Sequence, residues 1–283
     1  MFGFFAAALL ALSASAVALP SLQARDATKL SAEQLASYSP FTQFARAAYC
    51  ASSKLIPWNC GEACAANADF QPSRTGGNGN DIQLYFVGYW PDQNAVVVAH
   101  QGTDPTQLCS DLTDINLVRT PLNSTLFPGV SSDVQVHGGF ADEHAKTATI
   151  ILDEVKKLLS SYGASTVVAV GHSLGGALAE LDAMFLTLNL PSSVHVKAVT
   201  YGTPRVGNPA WAALFDSKVP DFVRINNRKD LVPIVPGRFL GFQHPHGEIH
   251  ICTISQVPTI AQGNIVDHLG PYEGIYIGTL FCT

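Results

Sequence analysis

The middle of the chain alternates short hydrophobic runs with amphipathic stretches. Three runs rich in β-branched residues are typical of buried strands and cover residues 166–170, 194–201 and 222–226. A stretch with helical character separates each run from the next. Apolar strands that alternate with helices indicate a parallel sheet with helices on both faces. The pattern therefore predicts an α/β fold with a mostly parallel central sheet.

Further elements are predicted upstream of these strands. Residues 82–90 and 95–99 have strand composition, and the turn-forming residues 91–94 between them predict a hairpin. Apolar residues then recur at the spacing of one helix face. We predict a helix over residues 140–162 that ends at Gly163, since glycine is the residue that most often stops a helix.

The first stretch of the chain, residues 2–20, is apolar and rich in alanine. It is short and ends in small residues, which favours a secretory signal over a membrane span. We predict a signal peptide over residues 1–18, a short propeptide over residues 19–26 and one domain over residues 27–283. An uncleaved N-terminal anchor is the alternative. We expect a secreted, extracellular protein without a stable membrane span.

Composition excludes two classes of protein. Of the 283 residues, 47% are hydrophobic and only 13% charged, and the net charge is −6. A nucleic-acid binder needs clustered Lys and Arg to displace counterions from phosphates, and the sequence has no such cluster. The apolar content is also far above that of disordered chains. The chain is expected to be a compact, mildly acidic globular protein.

The predicted secretion indicates that the six cysteines form disulfides, because an oxidising compartment favours these bonds. Many pairings are open to six cysteines. Spacing favours the pairs Cys60 with Cys64 and Cys50 with Cys282. Cys109 with Cys252 is the third pair, by elimination alone. Asn123 begins a glycosylation sequon in surroundings that suit an exposed loop.

A Gly-x-Ser-x-Gly pattern occupies residues 171–175. A buried strand runs into it and a run of helix formers leaves it, which is the setting of a nucleophile elbow. Glycines are needed there because the tight turn has no room for side chains. The start of the helix also places backbone N–H groups beside Ser173. Ser173 is therefore a candidate nucleophile, and a serine in an ordinary tight turn is the alternative.

A nucleophilic serine needs a base, and the base needs an acid that orients it. In this fold class the chain order is Ser, then Asp or Glu, then His. Asp230 is the best acid because it follows the last predicted strand, at the carboxyl edge of the sheet where Ser173 is expected. Asp216 and Asp221 precede that strand, and Asp182 lies well inside the helix after the serine. We expect these three to be surface or capping carboxylates.

Several histidines could supply the base. His244, His246 and His250 crowd one segment, whereas His268 stands alone in a loop-like region. Three imidazoles at this spacing could bind a metal. However, Pro245 and the strand-like stretch after it do not favour convergence, and no second cluster completes four ligands. Structural histidines bonded to the backbone are the favoured interpretation, and we expect no metal and no cofactor.

Three motifs together resemble the filamentous-fungal class 3 lipase family, which includes extracellular triacylglycerol lipases and feruloyl esterase-like enzymes. The motifs are residues 171–179, 201–207 and 226–233, in the order and spacing of that family. The similarity runs from about Phe41 to the C-terminus. It implies an α/β-hydrolase-like fold and one catalytic domain over residues 27–283.

The resemblance also implies roles for individual residues. It makes Ser173 the nucleophile, Asp230 the acid and His268 the base. It places the oxyanion hole at the backbone N–H groups of Thr103 and Leu174.

The sequence departs from the family in two places. His100 and Gln101 stand where the family usually has an aromatic residue and an arginine, just before the oxyanion glycine. That change leaves the backbone donors in place but alters the packing behind the oxyanion loop. Cys109 and Cys252 do not match the usual close pair of the family.

Residues 104–116 fall where the family has a lid over the substrate cleft, and His244 resembles a family histidine beside that cleft. Leu108, Leu112 and Ile115 recur at helical spacing. Exposing three aliphatic side chains costs roughly 5–9 kcal/mol in water, and a lipid surface reduces this cost. We predict a lid; an ordinary packed helix is the alternative.

The residues and the resemblance together predict a secreted serine ester hydrolase. We expect a monomeric lipase that cleaves acylglycerol esters at an oil–water interface through an acyl-enzyme, with no nucleic-acid partner. Two alternatives stay open. One is a feruloyl or other aryl esterase that acts on soluble esters, and the other is a non-catalytic secreted binding protein on the same scaffold.

Overall fold

The computed structural model describes residues 30–104, 118–251 and 263–282. Several predicted features lie outside this part of the chain: the signal peptide and propeptide, Leu108, Leu112 and Ile115 of the predicted lid, and the pair Cys109 and Cys252. Within the described residues, no helix combines the length and hydropathy that crossing a membrane requires.

The described residues form helices and strands in the alternating order that the sequence predicts. The α-helices are α1 (Ala32–Ala36), α2 (Ser39–Ala47), α3 (Ser52–Leu55), α4 (Glu62–Ala65), α5 (Gly138–Ala145), α6 (Ala148–Tyr162), α7 (Leu174–Asn189) and α8 (Pro209–Lys218). The strands are β1 (Gln71–Gly76), β2 (Tyr85–Trp90), β3 (Ala95–His100), β4 (Arg119–Pro121), β5 (Gln135–His137), β6 (Thr166–His172), β7 (His195–Tyr201), β8 (Phe222–Asn227) and β9 (Glu248–Ile251).

Seven strands form the central sheet in the order β1-β2-β3-β6-β7-β8-β9. The first three pair antiparallel, with the predicted hairpin between β2 and β3. From β3 onward every pair is parallel. The prediction of a mostly parallel sheet is therefore confirmed, and the carboxyl ends of β3, β6, β7 and β8 share one edge.

Both faces of the sheet are covered, which explains why its central strands β3 and β6 are continuously apolar. Along β3, Val96 and Val98 belong to the core beneath α6 and α7, whereas Val97 belongs to the core on the opposite face. Phe44 of α2 packs into that second core. Because alternate side chains of a strand point to opposite faces, two cores require apolar residues at every position.

Some boundaries differ from those predicted. The helix predicted over residues 140–162 is two helices, because the chain leaves helical geometry at Thr147 (φ −124°) between α5 and α6. Gly163 ends α6 in a left-handed conformation (φ +64°), as expected. Strand β1 lacked a prediction because it is polar, contains Pro72 and lies at the sheet edge, where only one side of the backbone needs a partner.

Two of the predicted disulfides are present in the described residues. Cys50 follows α2 and bonds Cys282, 232 positions further along the chain, with 5.3 Å between the Cα atoms. Cys60 bonds Cys64 within a ring at α4. The first bond fixes the end of the chain against α2, on the face of the sheet opposite α7.

The core beneath the sheet contains a carboxyl group, that of Glu180 on α7. Its side chain is fully buried, and Trp211 Nε1 donates a hydrogen bond of 2.7 Å to Oε1. The second oxygen has no hydrogen-bond partner among the described residues. Burial raises the pKa of Glu180 to about 8, because removal from water penalises the charged form.

The two disulfides should differ in their effect on stability. In the chain-entropy model, a loop of the size closed by Cys50 and Cys282 contributes about 5 kcal/mol, whereas the ring closed by Cys60 and Cys64 contributes about 2 kcal/mol. We expect the double substitution Cys50→Ala with Cys282→Ala to lower the Tm more than Cys60→Ala with Cys64→Ala. Calorimetry of both variants checks this, and an equal or reversed order would contradict it.

Glu180 should make the stability of the protein depend on pH. In the unfolded chain this carboxyl titrates near the ordinary glutamate pKa of 4.5, so between about 4.5 and 8 only the folded chain holds the proton, and stability falls as the pH rises. Glu180→Gln keeps the acceptor for Trp211 but cannot ionise. We expect the Tm of this variant, relative to the unchanged protein, to rise by about 2 °C or more between pH 5 and pH 9. The exposed Glu33→Gln serves as the control, and a difference independent of pH would count against a buried proton on Glu180.

Candidate active site

The candidate nucleophile lies at the junction of β6 and α7. Ser173 adopts φ +59° and ψ −129°, a backbone conformation that a residue with a side chain rarely adopts. A Cβ on Gly171 would lie 2.0 Å from the carbonyl oxygen of Gly175, and a Cβ on Gly175 would lie 2.3 Å from that of His100. The two glycines of the pattern are therefore required by backbone contacts, and the strand–turn–helix setting predicted for Ser173 is present.

Asp230 and His268 form a buried pair near this junction. The Nδ1 atom of His268 donates a hydrogen bond of 2.8 Å to Oδ2 of Asp230, and both side chains are 1% exposed. The other carboxylate oxygen accepts the backbone N–H of Val232 at 2.9 Å. Asp230 is thus held by its own loop and in turn orients the imidazole.

The second ring nitrogen of His268 is left unbonded. Its Nε2 atom is buried and makes no hydrogen bond to any described residue, the hydroxyl group of Ser173 included. His172, the residue before Ser173 in the chain, lies between Ser173 and His268: its ring centroid is 4.3 Å from that of His268. An imidazole held by a carboxylate, with its other nitrogen unpaired, is suited to accept a proton.

His172 joins the candidate nucleophile turn to the segment that carries His268. Burial lowers the pKa of His172 well below its usual range, so the ring is neutral. Nε2–H donates to the carbonyl oxygen of His268 at 2.7 Å, and Nδ1 accepts from the Tyr49 hydroxyl, also at 2.7 Å. The Tyr272 hydroxyl donates to the same His268 carbonyl at 3.0 Å. These bonds fix the backbone of the candidate base.

The loop after β3 passes directly over Ser173. A Cβ on Gly102 would lie 2.5 Å from the Tyr49 hydroxyl oxygen and 2.8 Å from Cβ of Ser173. Thr103 is the next residue of this loop. Leu174 is the first residue of α7, where backbone N–H groups have no partner inside the helix. The two residues named for the oxyanion hole therefore lie on segments that flank Ser173.

The other candidate histidines take structural positions. His244 Nε2 bonds the carbonyl oxygen of Pro233 at 2.8 Å, and His250 Nε2 bonds that of Arg228 at 2.7 Å. His246 pairs with Asp216. In the described part of the chain, no three His, Cys, Asp or Glu side chains are grouped to hold a metal ion.

The remaining carboxylates correct one expectation. Asp216 and Asp221 lie at the amino edge of the parallel strands, where they pair with His246 and His195. Asp182, however, is not a surface or capping residue: it is fully buried in α7 and bonded to two histidines. The prediction was wrong because α7 is covered on nearly all sides, and its sequence does not reveal which neighbours supply partners. Asn123 of the sequon is exposed.

Comparison with known proteins decides the family. The family model described as Lipase (class 3) matches residues 97–240, about half of the chain; the match begins within β3 and includes Ser173 and Asp230. The chain belongs to the class 3 lipase family.

Curated relatives of this chain include two proteins of Malassezia globosa. One, named secreted mono- and diacylglycerol lipase MDL2, is 35% identical over 178 residues, which cover 62% of this chain and 58% of that protein. The other, named secreted mono- and diacylglycerol lipase LIP1, is 31% identical over 201 residues, covering 65% and 66%. The matched part of the chain thus spans 58% and 66% of the length of these relatives.

Solved structures share the fold of this member of the class 3 lipase family. A triacylglycerol lipase, described as having a serine protease triad as its catalytic centre, matches with a TM-score of 0.75 at 26% identity, over 90% of this chain and 98% of that one. The lipase from Rhizopus microsporus var. chinensis matches with a TM-score of 0.74 at 28% identity, over 88% and 90%. The fold is that of the α/β-hydrolases found in fungal lipases.

Sequence reasoning missed several residues around the candidate site. Tyr49 and Tyr272 lie more than 200 positions apart in the chain, and no local sequence pattern predicts that either of them lies near the site. His172 is part of the Gly-x-Ser-x-Gly pattern, and an imidazole inside such a buried turn is the one signal that could have prompted a search for its partners. The buried bonds of His100 and Asp182 were likewise not foreseen.

Proposed function

We propose that this chain is a secreted serine ester hydrolase that cleaves acylglycerol esters through an acyl-enzyme. The observation that carries the proposal is the buried Asp230–His268 pair beside the strained turn at Ser173, in a chain of the class 3 lipase family. The names of the Malassezia relatives, secreted mono- and diacylglycerol lipases, support acylglycerols as the substrate class. They also support an extracellular location, as do the two disulfides.

The reaction follows from the chemistry of the three side chains. The Ser173 hydroxyl attacks the ester carbonyl while Nε2 of His268 takes its proton, and Asp230 stabilises the imidazolium that forms. The proton then passes to the departing alcohol, which leaves an acyl group on Ser173. Water activated by His268 attacks this acyl-enzyme and releases the fatty acid and the free serine.

The charge that develops on the carbonyl oxygen needs donors in fixed positions. The backbone N–H groups of Thr103 and Leu174 would supply them, since they belong to the two segments that flank Ser173. One such donor is typically worth about 3 kcal/mol of the barrier. His244, half-buried beside the loop after β8, is proposed to border the substrate cleft and takes no part in proton transfer.

Several features of the proposal concern the wider protein. A signal peptide over residues 1–18 and a propeptide over residues 19–26 would precede one catalytic domain over residues 27–283. The exposed sequon at Asn123 would carry a glycan. We further propose that the mature protein acts as a monomer on ester aggregates at an oil–water interface.

The nucleophile is tested by substitution. Ser173→Ala should reduce hydrolysis of p-nitrophenyl butyrate and of monoolein by at least about 10³-fold, because the attacking oxygen is removed. Ser217→Ala, near the end of α8 and toward the amino edge of the parallel strands, should keep the rate of the unchanged protein. Steady-state kinetics check this, and labelling of Ser173 by an organophosphonate gives an independent measure.

Three outcomes would contradict the proposal. An unchanged hydrolysis rate in Ser173→Ala would remove Ser173 as the nucleophile. Hydrolysis of methyl ferulate with a higher kcat/KM than monoolein and triolein would favour the aryl esterase alternative. Absence of both hydrolysis and labelling in the unchanged protein would favour the non-catalytic alternative.

Interfacial action is tested with one substrate in two physical states. If Leu108, Leu112 and Ile115 form the apolar face of a lid, an oil surface should favour the open state and raise activity. We expect the specific rate on tributyrin to rise more steeply above its solubility limit than extrapolation from below the limit predicts. Replacing the three residues with serine should remove that rise. A rate that follows one saturation curve through the limit would exclude interfacial activation.

A further inference from the structure

Two histidines converge on one buried carboxylate behind the candidate active site. His100 Nε2 lies 2.6 Å from Oδ2 of Asp182, and His144 Nε2 lies 3.0 Å from Oδ1. All three side chains are at most 1% exposed. We call this set the His–Asp–His cluster. It joins the end of β3, the third turn of α7 and the last turn of α5.

The carboxylate of the cluster is charged. Burial alone would raise the pKa of Asp182, but the imidazoles, His100 foremost, outweigh it and lower the pKa to about 2. Each carboxylate oxygen therefore accepts a hydrogen bond from one imidazole N–H. Bonds to a buried charge are stronger than those between neutral groups, and loss of one partner leaves that charge poorly compensated.

The two arms of the cluster end in different places. His100 is the last residue of β3, and the loop 101–104 with Gly102 and Thr103 follows it directly. His144 belongs to α5, which has no residue in that loop. The two histidines thus share one acceptor and are equally buried, but only His100 is directly followed by the loop 101–104.

The loop 101–104 is attached to α7 at a second point. The carbonyl oxygen of His100 and the backbone of Gln101 lie so close to Gly175 that a Cβ there would be 2.3 Å from the former and 2.7 Å from the latter. The backbone N–H of Gln101 donates to the carbonyl oxygen of Leu84 at 2.8 Å, which holds the other side of the loop. The side chain of His100 adds a bond to the third turn of α7, so the start of the loop cannot shift along the helix.

We propose that His100 is a positioning residue for ester hydrolysis: through Asp182 it fixes the loop 101–104 relative to the start of α7. The backbone N–H groups of Thr103 and Leu174 then converge on one developing oxyanion. This inference rests on the proposed function. Donor placement matters because stabilisation of a developing charge requires donors already in position.

A purely structural cluster would behave differently. If Asp182 with its two histidines only stabilised the packing of α7, loss of either imidazole would affect stability and activity to a similar degree. His144 is therefore a matched control for His100, with the same acceptor, the same donor atom and the same burial.

The experiment compares His100→Leu with His144→Leu on soluble p-nitrophenyl butyrate. Both should lower the Tm by similar amounts. We expect His100→Leu to lower kcat by at least about 10-fold with KM within about 2-fold, and His144→Leu to keep kcat within about 3-fold. His100→Gln, whose amide N–H can replace Nε2–H, should recover most of the lost kcat. Binding of phenylboronic acid, which forms a tetrahedral adduct on the serine, should weaken in His100→Leu in parallel with kcat.

The outcomes separate this inference from the function on which it rests. An unchanged protein that neither hydrolyses the ester nor reacts with an organophosphonate overturns the proposed function. An active unchanged protein in which both leucine variants lose the same kcat, or in which His100→Leu raises KM alone, overturns the positioning role of His100. Should His100→Leu fail to fold, His100→Asn and His144→Asn are compared by the same criteria, since the shorter amide cannot reach Asp182 from either backbone position.

Discussion

The candidate site depends on one constraint, the close approach of the β6–α7 turn to the end of β3. Space for a side chain is missing at both glycines of the turn, because each would place a Cβ within 2.3 Å of a neighbouring carbonyl oxygen. Three backbone segments therefore touch one another around Ser173. Such contacts cannot relax by rotamer changes, so the strained serine, the helix start and the loop after β3 keep fixed relative positions.

Buried polar groups fix the side chains of the candidate site in addition to these backbone contacts. His172 spans from Tyr49 to the carbonyl oxygen of His268, and Asp230 fixes the ring of His268. Both nitrogens of His172 are bonded, whereas one nitrogen of His268 is not. An unpaired buried nitrogen carries a free-energy cost. The Nδ1 atom of His244 is also unpaired, but the other nitrogen of that ring bonds a backbone carbonyl, whereas the unpaired nitrogen of His268 belongs to a ring held by a buried carboxylate. Its presence beside the strained serine is the clearest chemical signal in the described part of the chain.

The sequence was sufficient for the parts of the fold that repeat a local pattern. The parallel strands and the end of α6 at Gly163 follow from apolar runs and from glycine, and the elbow at Ser173 follows from its flanks. Asp230 could be placed because the edge of a parallel sheet is set by chain direction. The polar edge strand β1 and the break at Thr147 could not be predicted, since their partners lie elsewhere in the chain. The choice of His268 over three other histidines rested on the family resemblance, because spacing alone does not show which imidazole reaches a carboxylate.

Helix α7 shows why such partners decide the chemistry. Glu180 and Asp182 are two residues apart, equally buried, and chemically almost the same, yet their pKa values move in opposite directions. Glu180 receives one neutral N–H bond from Trp211, which does not offset burial, so the proton is retained. Asp182 receives two imidazole N–H bonds and keeps its charge. The neutral carboxyl points into the core between α7 and α8, and the charged one faces the end of β3. The buried charge of Asp182 is thus directed to the strand whose end continues into the loop over Ser173, where a rigid attachment has a chemical use.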